Sequence, residues 1–170
     1  MQAVNVLCIK WGRKYGPEYV NKLHSMVSRH LQRPFRFVCL TDDGTGIDPS
    51  IEVKPIPAVG FDEFDQRKPW TFGHGWLKLT SFADPLYDLK GRTLFLDLDI
   101  VIVDSLDPFF DEPGEFIVIK EWDKQDGTGN TSCYLYTIGA HTDALEHLKR
   151  GYPQSIADVR NEQEYITGFL

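Results

Sequence analysis

Apolar residues along this chain alternate between strand-like runs and helical spacing. Val4 to Ile9 is mainly apolar, Val20, Leu23, Val27 and Leu31 recur at helical intervals, and Phe35 to Leu40 is mainly apolar again. Strand, helix, strand in that order predicts a βαβ opening, and Pro17 and Pro34 punctuate the helix at its two ends. Turn residues from Thr41 to Gly46 close the second strand, and Ile51 to Ile56 predicts a short third strand before Pro57. Ala58 to Pro69 reads as irregular and Gly75 to Ala83 as a helix. The run from Thr93 to Val103 predicts a central strand buried on both faces. Phe116 to Ile119 and Cys133 to Ile138 predict two further strands. Thr142 is placed to cap a helix from Asp143 to Arg150 that stops at Gly151, and a last helix is expected from about Ser155 to Tyr165. Strands alternating with helices predict an α/β layered sheet, mixed because the later strands lie close together in sequence.

The length of 170 residues fits a single domain, 1–170, and 42% hydrophobic with 13% aromatic residues is enough for a substantial core. A net charge of -7 with 18 Lys+Arg argues against general binding to a nucleic-acid backbone, which needs a basic footprint, while leaving room for one small anionic ligand. Cys8, Cys39 and Cys133 each sit in an apolar run and are odd in number, so they read as reduced core thiols. The first nine residues carry no basic segment, and their apolar stretch is too short for a signal or a membrane span. The expectation is a soluble, cytoplasmic protein without a membrane span.

Within the central run, Asp97 and Asp99 are the residues that most need an explanation. Alternate strand residues share a face, so both carboxylates are expected to point the same way at a strand mouth, with Leu98 packed beneath. Ionised acids are costly to bury unless paired or metal-bound, and hard oxygen donors suit Mg²⁺ or Mn²⁺. Strand carboxyl ends are also where open α/β sheets bind ligands. Two acids that merely face solvent or cap a turn are the plainer alternative.

The segment Arg92 to Val103 resembles the DxD segment of nucleotide-sugar glycosyltransferases of the GT-A fold, particularly the glycogenin-like and galactosyltransferase-like (family 8-like) group. Lys78 before it, Leu106 to Phe110 after it, Asn130 to Tyr136 and Asn161-Glu162-Gln163 fall in the family's order, so the resemblance spans most of the chain. It implies a three-layer α/β/α Rossmann-like domain with a mainly parallel mixed sheet, and a metal-dependent transferase moving a hexose from a UDP-sugar to a hydroxyl acceptor, a glycan or a small molecule. Asp97 and Asp99 would hold Mn²⁺ or Mg²⁺ against the diphosphate, with Leu98 between them at the nucleotide. Lys78 matches a basic residue near the phosphates, although a solvated helix lysine explains that position equally well. The loop Lys10 to Gly16 resembles the one that receives the base: Trp11 or Tyr15 would stack on uracil, Gly12 would let backbone approach, and Asp42 would meet base or ribose. An ordinary βα loop and an ordinary turn remain the alternatives there. Asn130 and Ser132 would face the acceptor, and Glu162 and Gln163 would sit near the anomeric carbon as the candidate catalytic groups with Asn130.

The family's histidine metal ligand, found beyond the region of Gln163, has no counterpart before Leu170. That implies either further sequence or a metal held by the two aspartates with water and diphosphate. Asp97-Leu98-Asp99-Ile100-Val101 also fits the D-x-D-x-[TV] motif of HAD-type phosphohydrolases, with Asp97 as nucleophile, but that motif opens on a first strand. A non-catalytic nucleotide-sugar-binding domain is the third reading. His24 and His30 on the first helix and His74 in an aromatic, glycine-rich loop read as structural.

Overall fold

Val6, Leu7, Cys8 and Ile9 are all buried, so strand β1 (Val4–Lys10) has no face to offer water and takes an interior place in the sheet. In the computed structural model, which describes residues 3–59, 75–124, 126–152, 154–156 and 158–170, a six-stranded sheet runs in the order β3-β2-β1-β4-β6-β5. Its strands are β1, β2 (Phe35–Thr41), β3 (Glu52–Lys54), β4 (Arg92–Leu96), β5 (Phe116–Lys120) and β6 (Gly129–Thr137). β1 pairs in parallel with β2 and β4, and β2 with β3, whereas β6 runs antiparallel to both β4 and β5. The mixed, mainly parallel sheet expected from the sequence is the one observed.

Side-chain alternation divides the core into two layers. Val6, Cys8, Phe37, Cys39, Leu94 and Leu96 face helix α1 (Pro17–His30), whose buried stripe is Val20, Leu23 and Val27. Pro17 occupies the first turn, where a missing N–H costs nothing, and Arg29 and His30 sit at the negative end of the helix dipole. The short helix α2 (Asp107–Asp111) joins the same layer through Phe109 and Phe110. On the other face Leu7, Ile9, Val38, Leu40 and Phe95 pack against a 3-10 segment (Gly75–Phe82), helix α3 (Thr142–Gly151) and helix α4 (Glu162–Phe169). The result is the three-layer α/β/α arrangement.

Several boundaries differ from the sequence reading. The central strand ends at Leu96 rather than Val103: Asp97 still donates its N–H to Ser132 O at 2.9 Å, after which β6 offers no further partner and the chain turns away. Val101 and Val103 are consequently 76% and 84% exposed despite their strand-like character. Gly75 to Phe82 winds as a 3-10 helix. Thr142 is the first helical residue and not its cap; His141 stands at the cap without a side-chain capping bond, and Gly151 is the last residue of the helix. The expected helix from Ser155 to Tyr165 resolves into a 3-10 turn (Gln154–Ile156) and α4, because Asn161 caps α4 by accepting the Glu164 N–H at 3.0 Å. His74 and most of the stretch expected to be irregular lie outside the described residues. Cys8, Cys39 and Cys133 are buried free thiols, as expected. Among the described residues no helix is long and apolar enough to cross a membrane.

Phe95 of β4 stacks on its cross-strand partner Tyr134 with ring centroids 4.7 Å apart, both fully inside the core. Phe95→Ala is expected to lower unfolding free energy by about 3–5 kcal/mol, measured by urea denaturation.

Candidate active site

The antiparallel return of β6 decides what surrounds Asp97. Its register pairs Leu96 with Cys133, which sets Asn130, Thr131 and Ser132 beside the C-terminal end of β4. Parallel β1 delivers its own C-terminal end, and the loop after it, to the same edge of the sheet. Helix α4 starts there too, with Glu162 and Gln163 in its first turn. Together these enclose a cavity of about 290 Å³ whose wall includes Trp11, Gly12, Tyr15, Lys78, Asp97, Leu98, Asp99 and Glu162, all residues that the sequence singles out. Ile9, Arg13, Lys14 and Gly75 complete it. A second, shallower hollow of about 650 Å³ lies across α1 and shares Leu98 and Asp99, but fewer titratable groups converge on it.

Lys78 is at the centre of the cavity wall. It is 8% exposed, and its Nζ donates to Asp97 Oδ2 at 2.9 Å and reaches Glu162 Oε1 at 3.2 Å. Burial works against the ammonium charge, but Asp97 and Glu162 more than offset it, so the lysine titrates above its ordinary value. Burial raises the Asp97 carboxyl, with Lys78 pulling the other way. The lysine is therefore no solvated helix residue. Glu162 reaches it because Gly75 leaves the space: a Cβ on Gly75 would stand 2.1 Å from Glu162 Oε2.

On the opposite side Tyr15 donates its hydroxyl to Asp99 Oδ2 at 2.6 Å, and that bond is the main reason its phenol holds its proton beyond the usual range. Asp97 and Asp99 therefore face one cavity as expected, though from a turn and not from a strand, while Leu98 is buried between them at 6% exposure. Gly12 adopts φ +58° and donates its N–H to Asp42 Oδ2 at 2.9 Å. Asp42 thus braces the loop after β1 and is not part of the cavity wall. Lys10 is likewise outside that wall: it is 4% exposed and donates to Asp43 O at 3.1 Å. His24 packs edge-on to Phe37, with ring centroids 5.0 Å apart, in keeping with a structural role.

Asn130 and Gln163 are brought together by a residue that the sequence reading passes over. Glu121 Oε2 accepts from Asn130 Nδ2 at 3.1 Å and from Gln163 Nε2 at 2.9 Å. Gln163 Oε1 in turn accepts the Thr131 N–H at 3.2 Å, and Asn130 Oδ1 accepts the Ser132 N–H at 3.0 Å. Neither amide is among the described residues that line the cavity. An acid one residue past a strand carries no distinguishing sequence signal, so Glu121 emerges only from the pairing of β5 with β6. Arg13 and Lys14 were visible only as neighbours of Tyr15.

Behind this cluster, Glu164 binds Arg160 and accepts from Lys124 Nζ at 2.9 Å. The side-chain bond from Arg160 leads the causes that hold its carboxyl down to about 2. A carboxyl depressed in the folded state stabilises above the ordinary glutamate range, and that stability is lost as pH falls towards 2. Glu164→Gln should therefore flatten the acid limb of a melting-temperature profile below about pH 4.5. Lys78→Met leaves two largely buried carboxylates without their cation and should cost about 3 kcal/mol at neutral pH in chemical denaturation.

Neither a protein-family model nor a curated protein sequence matches the chain. Solved structures do. It is similar to a galactosyltransferase, LgtC, solved in complex with donor and acceptor sugar analogs, at TM-score 0.62 and 14% identity over 96% of this chain and 69% of that one. It is similar also to the apo structure of the bifunctional glycosyltransferase WbbM, at TM-score 0.62 and 14% identity over 98% of this chain and 37% of that one. The fold is thus the GT-A glycosyltransferase architecture.

Proposed function

We propose that this chain is a glycosyltransferase domain that moves a hexose from a UDP-sugar to a hydroxyl acceptor, with Asp97 and Asp99 as the carboxylates of its donor site. The observation that carries this reading is the convergence on one cavity of both aspartates, the aromatic loop after β1, Lys78 and Glu162. The shared fold with sugar-transferring enzymes supports it, and the residues themselves supply the chemistry.

Tyr15 and Trp11 provide aromatic surface for a base at one end of the cavity, and Arg13 and Lys14 provide positive charge for phosphate oxygens. The described wall contains three cationic side chains, Arg13, Lys14 and Lys78, against three acids, Asp97, Asp99 and Glu162, so a diphosphate would arrive without net positive charge to meet it. A divalent cation restores that balance. Among the described residues no group of three or more His, Cys, Asp and Glu is placed to hold a metal. The two aspartates are hard oxygen donors, Asp97 bonded by Lys78 and Asp99 by Tyr15. Such a pair fits Mg²⁺ or Mn²⁺ held jointly with substrate phosphates and water, the usual manner for these ions at phosphate sites. When bound, the ion supplies positive charge against the departing UDP. Lys78 orients Asp97 for that role and opposes the burial that raises its carboxyl, and Glu162 and Gln163, at the positive end of α4, occupy the side on which the acceptor hydroxyl would enter.

Isothermal calorimetry with UDP tests the reading. Binding is expected with Mn²⁺ and should weaken at least tenfold, about 1.4 kcal/mol, in Asp99→Ala. No UDP binding with or without the metal would overturn it.

A further inference from the structure

One carboxylate oxygen joins two amides that come from different elements. Glu121 Oε2 accepts from Asn130 Nδ2 of β6 at 3.1 Å and from Gln163 Nε2 of α4 at 2.9 Å. Each amide is bonded at its carbonyl as well: Gln163 Oε1 accepts the Thr131 N–H at 3.2 Å, and Asn130 Oδ1 accepts the Ser132 N–H at 3.0 Å. A carboxylate only accepts and a backbone N–H only donates, so each amide has a single orientation that satisfies both neighbours. Turned over, it would set oxygen against oxygen and N–H against N–H. Water in place of the carboxylate could donate as readily as accept, and would no longer dictate which way either amide points.

The lock is anchored at both ends. Glu121 donates its N–H to Thr128 O at 3.1 Å, which carries the pairing of β5 with β6 one residue beyond Lys120 and Gly129. Gln163 is held at its main chain too, where its carbonyl accepts the Thr167 hydroxyl at 2.8 Å. The residue before it, Glu162, lines the cavity and reaches Lys78 Nζ at 3.2 Å. Lys78 in turn reaches Thr131 O at 3.5 Å, on the same residue whose N–H Gln163 accepts. We infer that Glu121 is a positioning residue: its carboxylate sets the orientation of the Asn130 and Gln163 amides and, through Gln163, holds the first turn of α4 with Glu162 at the cavity. That Glu162 and Gln163 serve sugar transfer rests on the glycosyltransferase reading; the orientation of the amides does not. Arg13, Lys14 and Tyr15 belong to the loop after β1, which none of these bonds touches, so UDP affinity should be independent of Glu121.

The test compares wild type, Glu121→Gln and Glu121→Met on the whole chain. Glutamine keeps an acceptor oxygen at similar reach, whereas methionine keeps the bulk and removes the acceptor. In ¹⁵N NMR the side-chain NH₂ resonances of Asn130 and Gln163, assigned by their loss in Asn130→Asp and Gln163→Glu, should exchange with water about tenfold faster in Glu121→Met and stay near wild type in Glu121→Gln. UDP affinity with Mn²⁺ should hold within about twofold in both variants. The kcat for UDP release from a panel of UDP-hexoses should fall about tenfold in Glu121→Met with KM nearly unchanged, and recover in Glu121→Gln. Amide resonances in Glu121→Met that match wild type would overturn the proposal. So would UDP affinity that falls in step with kcat and melting temperature, the pattern of a general fold defect. Altered amides in Glu121→Met, in a chain whose wild type neither binds UDP nor turns over a UDP-hexose, would uphold the lock and remove the glycosyltransferase reading.

Discussion

A single buried ammonium organises the candidate site. Lys78 comes from the 3-10 segment, Asp97 from the end of β4 and Glu162 from the start of α4. Removing Asp97 or Glu162 from water is unfavourable by itself, and so is removing the lysine; only the three together are tolerated. The charge pairing therefore fixes which pieces meet, while hydrophobic burial on the two faces of the sheet supplies the driving force. Gly75 belongs to the same constraint, since the space its missing side chain leaves is where the Glu162 carboxylate sits.

Around this pairing the two sides of the cavity are built differently. The loop after β1 is short, turned by Gly12 at positive φ and pinned by Asp42, so Tyr15 can reach Asp99 across the cavity. The far side is a relay of amides and carboxylates running from Thr131 through Gln163 to Glu121. One side offers aromatic surface and cations, the other directional hydrogen bonds.

Much of the fold is legible in the sequence because strands buried on both faces, such as Val6 to Ile9, have few alternatives. The amphipathic stripe of α1 and its flanking prolines are equally direct. Legibility fails where local pattern and tertiary partner disagree. Ile100 to Val103 has strand composition but no strand to pair with, so it leaves the sheet. Asn161 overrode the expected last helix because a side chain able to cap outweighs a weak periodic signal. In the candidate site, the spacing of Asp97 and Asp99 announced itself, whereas Lys78 read equally well as a surface residue until its two carboxylates were seen. Lys10 and Asp42, singled out by the resemblance, hydrogen-bond backbone groups here, Asp43 O and the Gly12 N–H.

The sheet order also shapes how the molecule comes into being. β1 to β4 are laid down first and form a parallel half, yet β4 has one edge that only β6 can cover, and β6 follows after the α2 region and β5. During synthesis the nascent chain thus carries an apolar strand with an unsatisfied rim, and beside it a lysine and an aspartate still lacking Glu162. Such an edge invites pairing with another chain. The acid at the tip of β4 and the turn that follows it blunt that hazard by ending the strand early. Asp97, the partner of Lys78 in the finished fold, thus also ends the exposed strand, and a nascent chain arrested before β6 would present that edge open.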